Sequence, residues 1–129
     1  MNKVVLFVTM IFFALTTYAQ ENEVSTTTSV EHYKLFATQN MWTFLKLDTR
    51  NGRLWQVQYT MKEEPGYRYQ TVLSSIKRVF EIEECNNRFT LYPTQNIHTF
   101  IMVDQIDGRC WQVQWGKTGE RMVIPIEDE

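Results

Sequence analysis

The chain has 129 residues, with 13 Lys and Arg against 15 Asp and Glu, a formal charge of −2 at pH 7. This mild acidity argues against a nucleic-acid partner, which calls for a basic face, and against electrostatic attachment to an anionic membrane surface. The length allows one modest domain with a single core.

In chain order, Met1-Asn2-Lys3 opens with one positive charge, and Val4 to Leu15 is almost wholly apolar. Thr16-Thr17-Tyr18-Ala19 follows and ends on a small residue. This is the charged, apolar and small-residue order of a secretory signal peptide. The apolar run, about 12 residues, is short of the roughly 20 needed to cross a bilayer core. Cleavage is expected after Ala19, giving an exported protein of the periplasm or extracellular space with no integral membrane segment. No Cys lies near the end of the apolar run to accept lipid. Residues 20–31 are polar and expected to be a flexible lead into one β domain, 32–129.

That domain is built of an internal repeat. Tyr33 to Tyr59 lies over Phe89 to Trp115 at an offset of 56, with 13 of 27 positions identical, too many for chance at one fixed offset. Repeat one is placed at 33–73 and repeat two at 89–126. In repeat one, Tyr33–Ala37, Met41–Asp48 and Arg53–Tyr59 read as strands, rich in β-formers and bounded by turn residues. A fourth strand is expected in each copy, at Tyr67–Leu73 and Arg121–Ile126. The 74–87 linker carries Ile76, Val79, Phe80 and Ile82 and reads equally as a strand or a short helix.

Loop length decides which side chains share a face, because strand side chains alternate. A two- or four-residue turn at Arg50-Asn51-Gly52 places Leu45 and Leu47 beside Gln56 and Gln58. A three-residue loop, with Gly52 left-handed in a bulge, pairs Leu47 with Trp55 and Leu45 with Val57. Only the latter yields one consistently apolar face. The expected core is therefore Tyr33, Leu35, Met41, Leu45, Leu47, Trp55, Val57, Tyr59 and their partners 56 residues on. One apolar face per unit must be covered. The expected fold is all-β and antiparallel: two tandem four-stranded meanders packed as a pseudo-two-fold sandwich or partly closed barrel. Neither copy should fold well alone.

The face opposite that core carries Phe36, Trp42, Phe44, Gln56 and Gln58 in repeat one, and Tyr92, His98, Phe100, Gln112 and Gln114 in repeat two. An ordinary solvent face would carry Lys, Glu and Thr. Aromatic rings beside amides suit stacking on, and hydrogen bonding to, a glycan or a protein partner. The competing reading is that this face packs on the other repeat or the linker.

The remaining motifs read as structural. Asp48 and Arg53, with Asp104 and Arg109, flank their turns, where an Asp caps loose N–H groups and pairs across the hairpin mouth. Thr38-Gln39-Asn40 and Thr94-Gln95-Asn96 fit a demanding turn. An oxidising compartment permits a Cys85–Cys110 disulfide, but Leu54 is the first-copy counterpart of Cys110, which speaks against a bond built into the unit. No His/Cys/Asp cluster has metal-ligand spacing, and no nucleophile, phosphate-loop or dinucleotide signature is present. No cofactor or metal is expected. The favoured function is a non-enzymatic binding or interaction module for a glycan or protein. The alternatives are a structural or accessory subunit of a cell-envelope complex and, less favoured, a hydrolase.

Leu47-Asp48-Thr49-x-x-Gly52-x-x-Trp55-Gln56-Val57-Gln58, with its second copy, resembles a group of small, uncharacterised secreted bacterial β-repeat proteins with one or two such units. The likeness covers most of residues 33–126. The second copy departs from it at Gln105, where Thr is usual. The resemblance implies export and a repeat, and brings no activity or catalytic residue.

Overall fold

The computed structural model describes residues 31–129. The expected signal peptide and almost all of the expected flexible segment lie outside the described residues. The domain is all-β, eight strands in two four-stranded antiparallel sheets. The first sheet is the meander β1 (Tyr33–Ala37), β2 (Thr43–Asp48), β3 (Leu54–Gln58) and β4 (Tyr69–Ser74). The second is β5 (Phe89–Pro93), β6 (Thr99–Asp104), β7 (Cys110–Gln114) and β8 (Met122–Ile126). The sheets do not close into a barrel but stack as two layers, β5 against β2 and β8 against β4. The linker is irregular apart from one 3-10 turn, Glu81–Glu83. Among the described residues no helix is long and apolar enough to cross a membrane.

The β2–β3 connection differs from expectation. Asp48 N–H donates to the Arg53 carbonyl at 2.9 Å, closing a four-residue loop rather than three. Gly52 is left-handed (φ +82°). The carboxylate of Asp48, wholly buried, accepts from the Arg50 N–H at 3.1 Å and from Asn51 Nδ2 at 3.2 Å. These bonds hold the wider turn. Its parity pairs Leu45 with Gln56, Leu47 with Leu54 and Thr43 with Gln58. The β6–β7 turn behaves alike, pairing Ile101 with Gln112 and Met102 with Trp111.

The β1–β2 connection is also even. Thr38 N–H bonds the Thr43 carbonyl, Thr38 Oγ1 donates to the same oxygen at 2.8 Å, and Asn40 Oδ1 accepts from the Trp42 N–H at 2.9 Å. Asn40 thus serves through its side chain rather than through a left-handed backbone. Thr94 and Asn96 repeat the arrangement.

The two sheets consequently bury opposite faces of the same repeat. The first sheet turns Thr43, Leu45, Leu47, Leu54 and Gln56 inward. The second turns Phe100, Met102, Trp111 and Val113 inward, with Phe89 and Leu91 of β5. Their first-sheet equivalents (Phe44, Lys46, Trp55, Val57, Tyr33 and Leu35) face outward. A pseudo-two-fold sandwich would bring like faces together. The two layers form the expected sandwich, but they repeat in the same sense, so that the inner face of one meets the opposite face of the other.

The expected core is corrected accordingly. Leu45, Leu47, Phe89, Leu91, Trp111, Val113 and Trp115 are buried as expected, and Leu54, Phe100 and Met102 join them. Tyr33, Leu35, Met41, Tyr59 and Ile97 are exposed, while Trp55, Val57, Ile101 and Val103 are half-buried. Gln56 is 3% exposed yet satisfied, its Oε1 accepting from the Gly116 N–H at 3.1 Å and from Arg121 Nε at 3.3 Å. A buried amide without partners would cost about 1–3 kcal/mol; these bonds make it a polar seam between the layers. Cys85 and Cys110 are both free thiols.

Candidate functional site

The ten residues expected to form one binding surface are dispersed by the register. Phe36 and Phe100 pack into the inter-sheet core. Phe44 lies on the outer face of the first sheet, beside Val57. Tyr92, Gln112 and Gln114 lie on the outer face of the second, since Tyr92 pairs with Ile101 and Ile101 with Gln112. The even turns send them to different faces, because side chains alternate along each strand.

Four of the ten do converge. Gln56, Gln58 and His98 line a groove of about 540 Å³ between the two sheets, at the end where the β1–β2, β5–β6 and β7–β8 connections meet. Trp42 and Gln58 line an adjoining groove of about 390 Å³, and Gln58 and Tyr69 belong to both. Tandem turns position these side chains. In repeat one the Trp42 carbonyl accepts from the Tyr59 N–H, and the Trp42 ring stands edge-on to Tyr59, centroids 5.3 Å apart. In repeat two the His98 carbonyl accepts from the Trp115 N–H, and His98 lies 4.6 Å from the Trp115 ring. Trp115 is anchored by its Nε1–H to the Ile97 carbonyl at 3.0 Å.

The polar lining is also oriented. Thr43 Oγ1 donates to Gln58 Oε1 at 2.9 Å, fixing that amide in the groove wall. Lys117 and Glu120 supply charges of both signs at the rim, with Glu120 Oε2 accepting from the Lys117 N–H at 3.1 Å. In the adjoining groove Lys62 Nζ sits 4.9 Å from the Tyr67 ring. Sequence reasoning missed Tyr69, Tyr67, Trp115, Lys117 and Glu120. The first two belong to β4 and its approach, which the repeat alignment did not reach. The other three face the groove only once the sheets are stacked.

The turn carboxylates form a separate structural set. Asp48 is held by Arg50 at 2.8 Å and Arg53 at 3.4 Å. Burial works against its charge, but the hydrogen bonds and charge of Arg50 and Arg53 outweigh that and hold its pKa below the ordinary value. Asp104 is held by Arg88 at 2.9 Å. Their oxygens are committed to guanidinium and turn N–H partners, so neither carboxylate is poised as an acid or base. Among the described residues no group of three His, Cys, Asp or Glu side chains is arranged to hold a metal ion.

No family model matches this chain, and no curated protein or solved structure matches it.

Proposed function

We propose that this protein is an exported, non-catalytic carbohydrate-binding module that seats a short glycan in the groove between its sheets. The observation that carries the reading is the joined pair of grooves. Aromatic rings of Trp42, Tyr59, Tyr67, Tyr69 and Trp115 stand beside the amides of Gln39, Asn40, Gln56 and Gln58. Sugar rings offer apolar C–H faces that stack on aromatics, and hydroxyl edges that pair with amides able both to donate and to accept. The larger groove, at about 540 Å³, is of the size that small-ligand sites use. Its mixed rim charge suits a neutral ligand better than a polyanion. Export follows from the amino-terminal pattern, and the resemblance to secreted bacterial repeat proteins agrees with it.

The test is binding of the full mature chain to a glycan array, followed by titration calorimetry on the best oligosaccharide. Trp42→Ala and Gln58→Ala are each expected to weaken binding at least tenfold while the thermal transition is kept. Wild-type protein that binds no glycan, or variants that bind as well as wild type, would remove this reading.

A second reading, a structural subunit, is favoured by a different observation: the outer faces of both sheets remain apolar.

A further inference from the structure

We infer that copies of this chain dock head to tail, the outer face of the first sheet of one copy covering the outer face of the second sheet of the next. This inference does not depend on the ligand of the groove.

The argument begins with the repeat. Inside the chain, the inward face of the first sheet (Leu45, Leu47, Leu54, Gln56) meets the inward face of the second (Phe100, Met102, Trp111, Val113). The outer face of the second sheet carries the equivalents of the former: Ile101, Val103, Cys110 and Gln112. The outer face of the first carries the equivalents of the latter: Phe44, Lys46, Trp55 and Val57. The molecule thus ends in the two halves of an interface it already makes once internally. Both ends are largely apolar and half-open to solvent, with Leu35 60% exposed on one, and Tyr92 55% and Ile126 50% exposed on the other.

Three details repeat the fittings of the internal interface. First, Arg121 Nε holds the Gly116 carbonyl at 2.8 Å, and Gln56 docks on both residues. In the first sheet Arg68 Nη2 holds the Thr60 carbonyl at 3.1 Å, the same clamp at the equivalent place. Gln112 is the equivalent of Gln56, so the clamp of one copy is set to receive the Gln112 of another. Second, the Phe89 N–H bonds the Thr49 carbonyl at 2.8 Å and the Phe89 ring covers Gly52. Their equivalents are Tyr33, Gln105 and Gly108, and a Cβ at Gly108 would meet nothing within 4 Å. Third, Arg78 and Arg109 lie over the Trp111 ring in the internal interface, and Arg53 lies over Trp55 at 5.3 Å.

The charged departure on these faces is Lys46, which stands where Met102 stands. Its ammonium sits 4.6 Å from the centre of the Trp55 ring and bonds Gln70 Oε1 on the edge strand β4. The stem thereby stays in the apolar face and the charge is carried to the rim.

An interface between unlike faces either closes into a ring or extends without end. Closed stacks of four-stranded sheets hold roughly four to eight sheets. With two sheets per chain, the expected form is a ring of two to four copies.

The experiment uses the full mature chain and its mass in solution by light scattering or sedimentation. Wild type is expected at two to four copies. Trp55→Glu spoils only the first-sheet end and Ile101→Glu only the second-sheet end. Each alone is expected to be a folded monomer by circular dichroism and thermal melting. Mixed in equal amounts, they retain one good end of each kind and are expected to give a 1:1 dimer and nothing larger. A wild-type monomer at all concentrations, an oligomer that survives in either single variant, or a mixture that stays monomeric would overturn the inference.

Discussion

Trp55 and Trp111 hold the same place in the two repeats, yet one lies on the outer face of the stack and the other inside it. Trp111 is sealed between the sheets at 4% exposure, while Trp55 lies half-buried on the outer face of the first. The two sheets therefore spend the same sequence pattern differently, and the difference is measurable.

Trp111→Ala is expected to cost about 3–5 kcal/mol, as removal of a large core side chain does. Trp55→Ala should cost about 1 kcal/mol in the dissociated chain, because only part of its surface leaves water on folding. Denaturant titration at low protein concentration reads both. Equal costs would contradict the same-sense stacking.

The two turn glycines make a second pair. Gly52 and Gly108 are both left-handed, at φ +82° and +80°. A Cβ at Gly52 would lie 2.9 Å from Arg78 Cγ and 3.3 Å from the Phe89 ring, whereas one at Gly108 meets nothing. Gly108→Ala is expected to lose about 1–2 kcal/mol from backbone strain alone. Gly52→Ala should lose about 1–3 kcal/mol more from overpacking. Thermal midpoints of the two variants provide the comparison.

Gln56→Leu tests the polar seam. It leaves the Gly116 N–H and Arg121 Nε without the acceptor they share between the layers. A loss of about 1–3 kcal/mol is expected. Gln112→Leu, at the equivalent outer position, should move monomer stability by less than about 0.5 kcal/mol.

Acid should weaken the β2–β3 turn. Burial disfavours the charge of Asp48, but Arg50 and Arg53 more than offset this, leaving its folded pKa below the ordinary 3.8. Glu84 is lowered too, chiefly by its hydrogen bond from Asn51 in the same turn. A depressed folded pKa means stability that is fully present above the unfolded value and is lost as pH falls through the folded one. Melting temperatures should therefore hold above about pH 5 and decline below about pH 4. Asp48→Asn should be about 1–3 kcal/mol less stable at pH 7 and show a shallower acid decline. An unchanged acid limb in that variant would show that Asp48 does not contribute to it.

A fragment of residues 31–84 retains the first sheet and loses the cover over Leu45, Leu47 and Leu54, which are wholly buried in the intact domain. It is expected to show no cooperative thermal transition. A sharp monomeric transition would mean that the inter-sheet core is dispensable.

Much of the architecture was legible in the chain. The offset-56 repeat and the turn residues placed all eight strands within a few residues, and Asp48, Thr38 and Asn40 proved to be turn-holding residues as their chemistry suggested. The site was legible only in part. Trp42, Gln56, Gln58 and His98 reached the grooves, while Phe44, Phe36, Phe100, Tyr92, Gln112 and Gln114 did not. The assumption of a single apolar face per sheet misled the parity argument, because each unit is apolar on both. Lys46, at the position that Met102 holds in the second repeat, signalled which copy has that face covered.

Local chemistry alone determined where strands start and stop, which turns join them, and that the two halves are copies. Hydrogen bonds and turn preferences act over a few residues and are written in consecutive positions. Which face of each copy is dry was decided only by stacking, since burial depends on what lies across a gap of about 10 Å. Identical Trp-Gln-Val-Gln segments therefore present Gln56 to the interior in one sheet and Trp111 in the other.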